Sequence, residues 1–162
     1  MKKLLVSLLL LAAPMLSFAD GAVFTIPAGT TQMIVAATVD GSRINNMLVR
    51  SNSTAYAAGT LVNHRSAAYV AQIGGTSGSY APTGTAVMVD GSVTWLLCPT
   101  KDRVATIIQK ASGGTLDLFF SGGKLTFTVD GSALTISYPS AFSGAIYGAS
   151  VASNTVVNVT NW

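Results

Sequence analysis

The run Leu125-Thr126-Phe127-Thr128-Val129-Asp130-Gly131-Ser132-Ala133-Leu134-Thr135-Ile136 alternates apolar and hydroxyl residues on both sides of an Asp-Gly pair. Period-two alternation is the pattern of a strand with one buried face. An Asp-Gly pair between two such runs favours a tight type I′ hairpin, because both central residues take positive φ. With Asp130-Gly131 as the loop, Val129 faces Ser132, Phe127 faces Leu134 and Leu125 faces Ile136. The apolar partners then share one face, and Thr126, Thr128, Ala133 and Thr135 share the other. The run predicts a hairpin, and with it an all-β chain.

The same tetrapeptide stands at Val39-Asp40-Gly41-Ser42 and at Val89-Asp90-Gly91-Ser92. The spacings are unequal, so a turn is reused without a solenoid repeat. No oxygen-rich cluster surrounds these aspartates in the sequence, and turn formation explains them better than calcium binding. Elsewhere Val, Thr, Ile, Tyr and Phe fill the periodic stretches, and Gly, Ser, Asn and Asp punctuate them. One stretch, Lys101 to Ala111, has helical spacing at Val104, Ile107 and Ile108. It is short and β-branched, so it reads as a strand or one loose turn. Gly113-Gly114 and Gly122-Gly123 bracket a strand at Thr115 to Phe120. The expected architecture is a small β-sandwich or jelly-roll-like assembly of antiparallel hairpins.

The opening residues read as an export signal. Lys2 and Lys3 are followed by an apolar core from Leu4 to Ala13, and Ser17-Phe18-Ala19 supplies small residues before Asp20. The apolar run is too short to span a bilayer, and no later stretch is long and apolar enough. The expected divisions are a cleaved signal at 1–19, N-terminal strands at 20–53, an aromatic module at 54–98 and a C-terminal β block at 99–162. The N-terminal strands form a pair, from Ala22–Pro27 to Met47–Arg50. Localisation is then periplasmic, extracellular or virion-associated.

Charge is sparse. The formal net charge of +3 falls to +1 once Lys2 and Lys3 are removed, and the chain contains no Glu. No basic stripe is present to hold nucleic acid. Cys98 is the single cysteine, so no disulfide forms within one chain. It is either a free thiol packed among Trp95, Leu96 and Leu97 or one half of a bridge between two protomers.

Catalytic groups are scarce. Three of the six Asp fall in expected turns, Asp20 starts the exported chain, and Asp102 and Asp117 have no recognisable partner for glycoside hydrolysis. His64 is the only imidazole, and it sits beside Arg65 in what reads as a turn. One His and one Cys do not build a zinc site within the chain. The expectation is a non-enzymatic protein that needs no cofactor or metal.

Binding is left, and aromatic residues are its natural carriers. Tyr56, Tyr69, Tyr80 and Trp95 recur between short apolar runs and glycine turns. A Tyr or Trp buries a flat apolar face and keeps a polar edge, which suits sugar rings and protein partners alike. Tyr69 and Trp95 lie inside strand-like runs, where core packing fits better than an exposed platform. Tyr80, in a loop near Pro82, is the better exposed candidate, and Tyr56 is open to either role. Core or edge packing also fits Tyr138, Tyr147 and Trp162 better.

The pattern Tyr56, Gly59, Val62, Tyr69, Gly75-Thr76-Ser77-Gly78, Pro82 and Asp90-Gly91-Ser92-Val93-Thr94-Trp95 resembles the small β repeat of phage and prophage tail-fibre, head-fibre and decoration proteins. More distantly it resembles chitin-binding-type carbohydrate-binding modules. The resemblance is confined to Thr54–Cys98. It implies sugar stacking at Tyr56, Tyr69 and Trp95, with Asn52-Ser53-Thr54 standing where such modules carry a further Trp. Two functional expectations follow. One is an exported adhesion or virion-surface protein that contacts cell-surface glycans. The other is a self-assembling subunit of a coat, decoration or fibre, with other virion or surface subunits as partners and no small ligand. Gly breaks and short runs argue against an outer-membrane barrel.

Overall fold

The computed structural model describes residues 20–79, 82, 86–99, 105–121, 123–137 and 144–161. The expected signal at 1–19 lies outside them, as do Tyr80, Asp102, Tyr138 and Trp162. Among the described residues no helix is long and apolar enough to cross a membrane.

Eight strands build two facing antiparallel sheets. The first has the order β1 (Asp20–Ile26), β14 (Thr155–Asn161), β9 (Ala105–Gly113) and β12 (Ala133–Ser137). The second has the order β11 (Gly123–Phe127), β10 (Leu116–Phe120), β13 (Ile146–Ser150) and β2 (Thr31–Val35). The pairings are nested. β1 pairs with β14, β2 with β13, β9 with β12, and β10 with β11. A long hairpin folded over on itself in this way is a jelly roll.

Alternation fills the space between the sheets. Ile26, Ile108 and Val157 from the first sheet meet Ile34, Leu116, Leu118 and Ile146 from the second, all of them buried. Each such side chain contributes roughly 1.5–3 kcal/mol by leaving water. Lys110 of β9 follows the same alternation and is wholly buried. Its Nζ donates to Gly113 O at 3.1 Å and pairs with the Asp130 carboxylate. Its stem thus packs as a hydrocarbon while its charge stays partnered.

Between β2 and β9 the chain makes a third sheet, with the order β4 (Leu61–His64), β5 (Ala67–Ile73), β8 (Val93–Leu97) and β7 (Val87–Asp90). A two-stranded ladder, β3 (Ala55–Tyr56) with β6 (Gly75–Thr76), flanks it. Both faces of this sheet are covered. Ala68, Val70, Leu96 and Cys98 belong to the sandwich core. Tyr69, Ala71, Val93 and Trp95 point the other way into a second core with Tyr56 and Val62. This double burial explains the near-continuous apolar run of β5.

Two sequence expectations about pairing are corrected. The 125–136 hairpin does not form, because β11 and β12 lie in opposite sheets. Leu125 sits opposite Leu118, and Leu134 opposite Ile108. Ser132 N still donates to Val129 O, and Gly131 takes a φ of +84°, so a turn is present, but it carries the chain from one sheet to the other. Leu125, Phe127, Leu134 and Ile136 all pack on one core, reached from its two sides. The second correction concerns β1, whose partner is β14 and not the Met47–Arg50 segment. Val49 makes only an isolated parallel bridge to Asn63. From Ala105 onward the Lys101–Ala111 stretch is strand.

Candidate functional site

The rings singled out in the sequence are structural where they are described. Trp95 and Tyr69 are fully buried, and Tyr56 is only 6% exposed. Tyr56 meets Trp95 edge to face, with centroids 5.1 Å apart and planes at 71°. That geometry suits the ring quadrupoles and adds about 0.5–1.5 kcal/mol beyond area burial. The Tyr56 hydroxyl accepts from Ser51 N at 2.7 Å. A stacking platform needs an open ring face, and these three rings give theirs to the second core. They therefore supply no sugar-stacking surface. Tyr80 lies outside the described residues.

Beside these rings sits a buried ionic cluster that the sequence did not announce. Asp90, at the end of β7, is wholly buried and pairs with Arg50 at 2.8 Å. Its carboxylate also accepts from the Trp95 indole at 3.0 Å and from Gly78 N at 2.9 Å. Arg50 donates in addition to Gly78 O at 2.6 Å. These contacts tie the Arg50 and Gly78 segments to the β7–β8 hairpin, so the cluster holds this end of the third sheet together. The tight turn it closes is Gly91-Ser92, one residue later than the sequence suggested.

His64 ends β4, and its Nε2 is buried without a hydrogen-bond partner, as is Asn63 Oδ1. Burial first, then the neighbouring Arg65 and Arg50 cations, lowers its pKa, while Asp90 pulls the other way. Cys98 is buried and free, and burial pushes its pKa up to about 12. A thiol so placed fits the packed reading of Cys98, and a bridge to a second protomer would need local opening.

Exposed aromatic chemistry lies on a different part of the fold. On the outer face of the second sheet, cross-strand register puts Met33, Tyr147, Phe119 and Lys124 in one row over β2, β13, β10 and β11. Tyr147 is 40% exposed and Phe119 39%. The next row holds Thr31, Ala149, Asp117 and Thr126. Lys124 Nζ lies 5.8 Å from the Phe119 ring centre and 2.8 Å from Asp117. Thr126 Oγ1 donates to the other Asp117 oxygen at 2.6 Å. The bond from Lys124 first, then that from Thr126, lowers the Asp117 pKa.

At the Tyr147 end this face drops into a cleft of about 430 Å³ between β2 and the third sheet. Gln32, Met33, Gln72, Ile73, Thr31 and Tyr147 are among its walls. The Gln72 amide donates to Met33 O across the cleft and so is oriented by it. Among the described residues none of the lining groups carries a formal charge. Register across three non-adjacent segments makes this site, and no local spacing in the sequence encodes it. Among the described residues no three His, Cys, Asp or Glu side chains gather as a metal cluster. No family model, no curated protein and no solved structure matches the chain.

Proposed function

We propose that the chain is an exported, non-enzymatic contact protein, an adhesion or virion-surface subunit that acts through its outer faces. The observation that carries this reading is the use made of its charges. Asp90, Asp117 and Asp130 each pair with a basic side chain, and Asp40 accepts from Ser42 N to cap a short 3-10 helix, Gly41–Asn46. Groups committed to turns and ion pairs support a framework role, while the jelly roll leaves broad sheet faces for contact. The resemblance of Thr54–Cys98 to fibre and decoration modules points the same way. Fluorescently labelled mature protein, titrated onto intact bacterial cells and onto their isolated envelopes, should bind saturably and release no soluble product. Steady release of a fragment from the envelope would overturn the reading.

A self-assembling subunit is the second reading. Val23 on the edge strand β1 is 70% exposed, and Val129 at the sheet-crossing turn 67%. An apolar residue on an open sheet edge invites pairing with another chain. Light scattering over a hundredfold concentration range separates the two, since a strict monomer throughout removes this second reading.

A further inference from the structure

We propose that the Phe119–Tyr147 row and the cleft beside it bind an uncharged sugar chain, an inference that rests on the contact role above. A pyranose ring has an apolar C–H face and a rim of hydroxyls. It needs a flat ring to stack on and neutral donors and acceptors around that ring. Phe119 and Tyr147 are direct register partners, so their rings share one face of the sheet at the spacing of neighbouring strands, about 4.5–5.5 Å between Cα atoms. Gln32 and Gln72 amides and the Thr31 hydroxyl line the adjoining cleft and offer both donors and acceptors. The cleft volume of about 430 Å³ falls within the roughly 300–1,000 Å³ of small-ligand sites.

Charge selects the class of sugar. The cleft lining is neutral among the described residues. The one cation of the row, Lys124, is held by Asp117, and Asp117 is also held by Thr126. An acidic sugar would have to compete for Lys124 against a carboxylate already in place. An uncharged chain leaves that pair intact.

The test is calorimetric titration of the mature protein with cellohexaose, chitohexaose, xylohexaose and mannohexaose, and with an oligogalacturonate as the acidic probe. At least one uncharged chain should bind saturably. Tyr147→Ala and Phe119→Ala should each weaken it by at least about tenfold, Tyr147→Phe should keep most of the affinity, and Val89→Ser, at an exposed position of β7, should change nothing. Silence of every uncharged chain, binding of the acidic probe alone, or affinity untouched in the double alanine variant overturns the proposal. An oligomer that the double alanine variant dissolves, with no sugar bound, assigns the face to a second copy of the chain and also overturns it. Attachment to cells with every uncharged chain silent removes this site yet leaves the contact reading standing, so the two failures are distinguishable.

Discussion

Three aspartates in the same tetrapeptide have three different surroundings, and their costs of removal should differ accordingly. Asp40 caps a turn of 3-10 helix through Ser42 N at 3.1 Å. Asp130 pairs with the buried Lys110 from the surface, where its side chain is 57% exposed. Asp90 is buried with Arg50 and Trp95. Asp40→Ala should cost about 1 kcal/mol, the usual worth of a capping side chain. Asp90→Ala should cost about 3–5 kcal/mol, because it strands a buried guanidinium. Urea unfolding of the two variants checks the order, and equal losses would contradict the cluster. Cys98 makes a second prediction at this scale. With its pKa raised to about 12, the thiol should resist an aromatic disulfide reagent at pH 8 in the folded protein and react at once in denaturant. Rapid reaction of the folded protein would place the thiol at the surface. Burial of this thiol was one of two readings open beforehand, since a lone cysteine amid Trp95, Leu96 and Leu97 is normally interior. The buried Asp90 was not, because local sequence does not tell a turn aspartate from one that faces an arginine forty residues away.

At the scale of elements, strand positions were readable and their partners were not. Alternation told which residues of 125–136 face a core. It could not tell whether Leu125 meets Ile136 beside it in one sheet or across the interior from the opposite sheet, because both arrangements bury the same side chains. The Gly91 hairpin shows where local chemistry does decide. Gly91 has a φ of +65°, and a Cβ there would come within 2.7 Å of Gly78 N and closer still to Thr76 O. Gly91→Ala should therefore lose at least about 1–2 kcal/mol from left-handed backbone alone. Gly41→Ala, with open space around it, should lose far less. Comparing the two denaturation midpoints checks this, and a neutral Gly91→Ala would contradict the turn. The Tyr147–Phe119 row was invisible for the reason that hid the pairings, as its members come from four strands that only the tertiary register aligns.

For the whole molecule, two of the described groups shape the response to acid. In the folded state His64 titrates below its ordinary value of 6.5. Between those two values the unfolded chain binds a proton that the folded one refuses, so stability falls as pH drops below about 6.5. Asp117 titrates below its ordinary 3.8 when folded, so its contribution is complete above that value and is lost as pH falls beneath it. The melting temperature should accordingly be highest above pH 6.5 and decline in two stages on acidification. His64→Gln should flatten the first stage, and Asp117→Asn the second. A flat profile between pH 7 and 5 in the parent protein would contradict the surroundings described for His64. The all-β class could be read in advance because composition and alternation act everywhere along the chain. The nested order of the sheets could not, because it is a property of distant pairings.

That nesting bears on how the chain reaches its final form. β14 is the last strand described, yet it lies inside its sheet, between β1 and β9, with Asn161 opposite Asp20. Closing such a long loop carries a large entropic penalty before any contact rewards it. A ribosome must therefore release the β14 segment before the first sheet can zip shut.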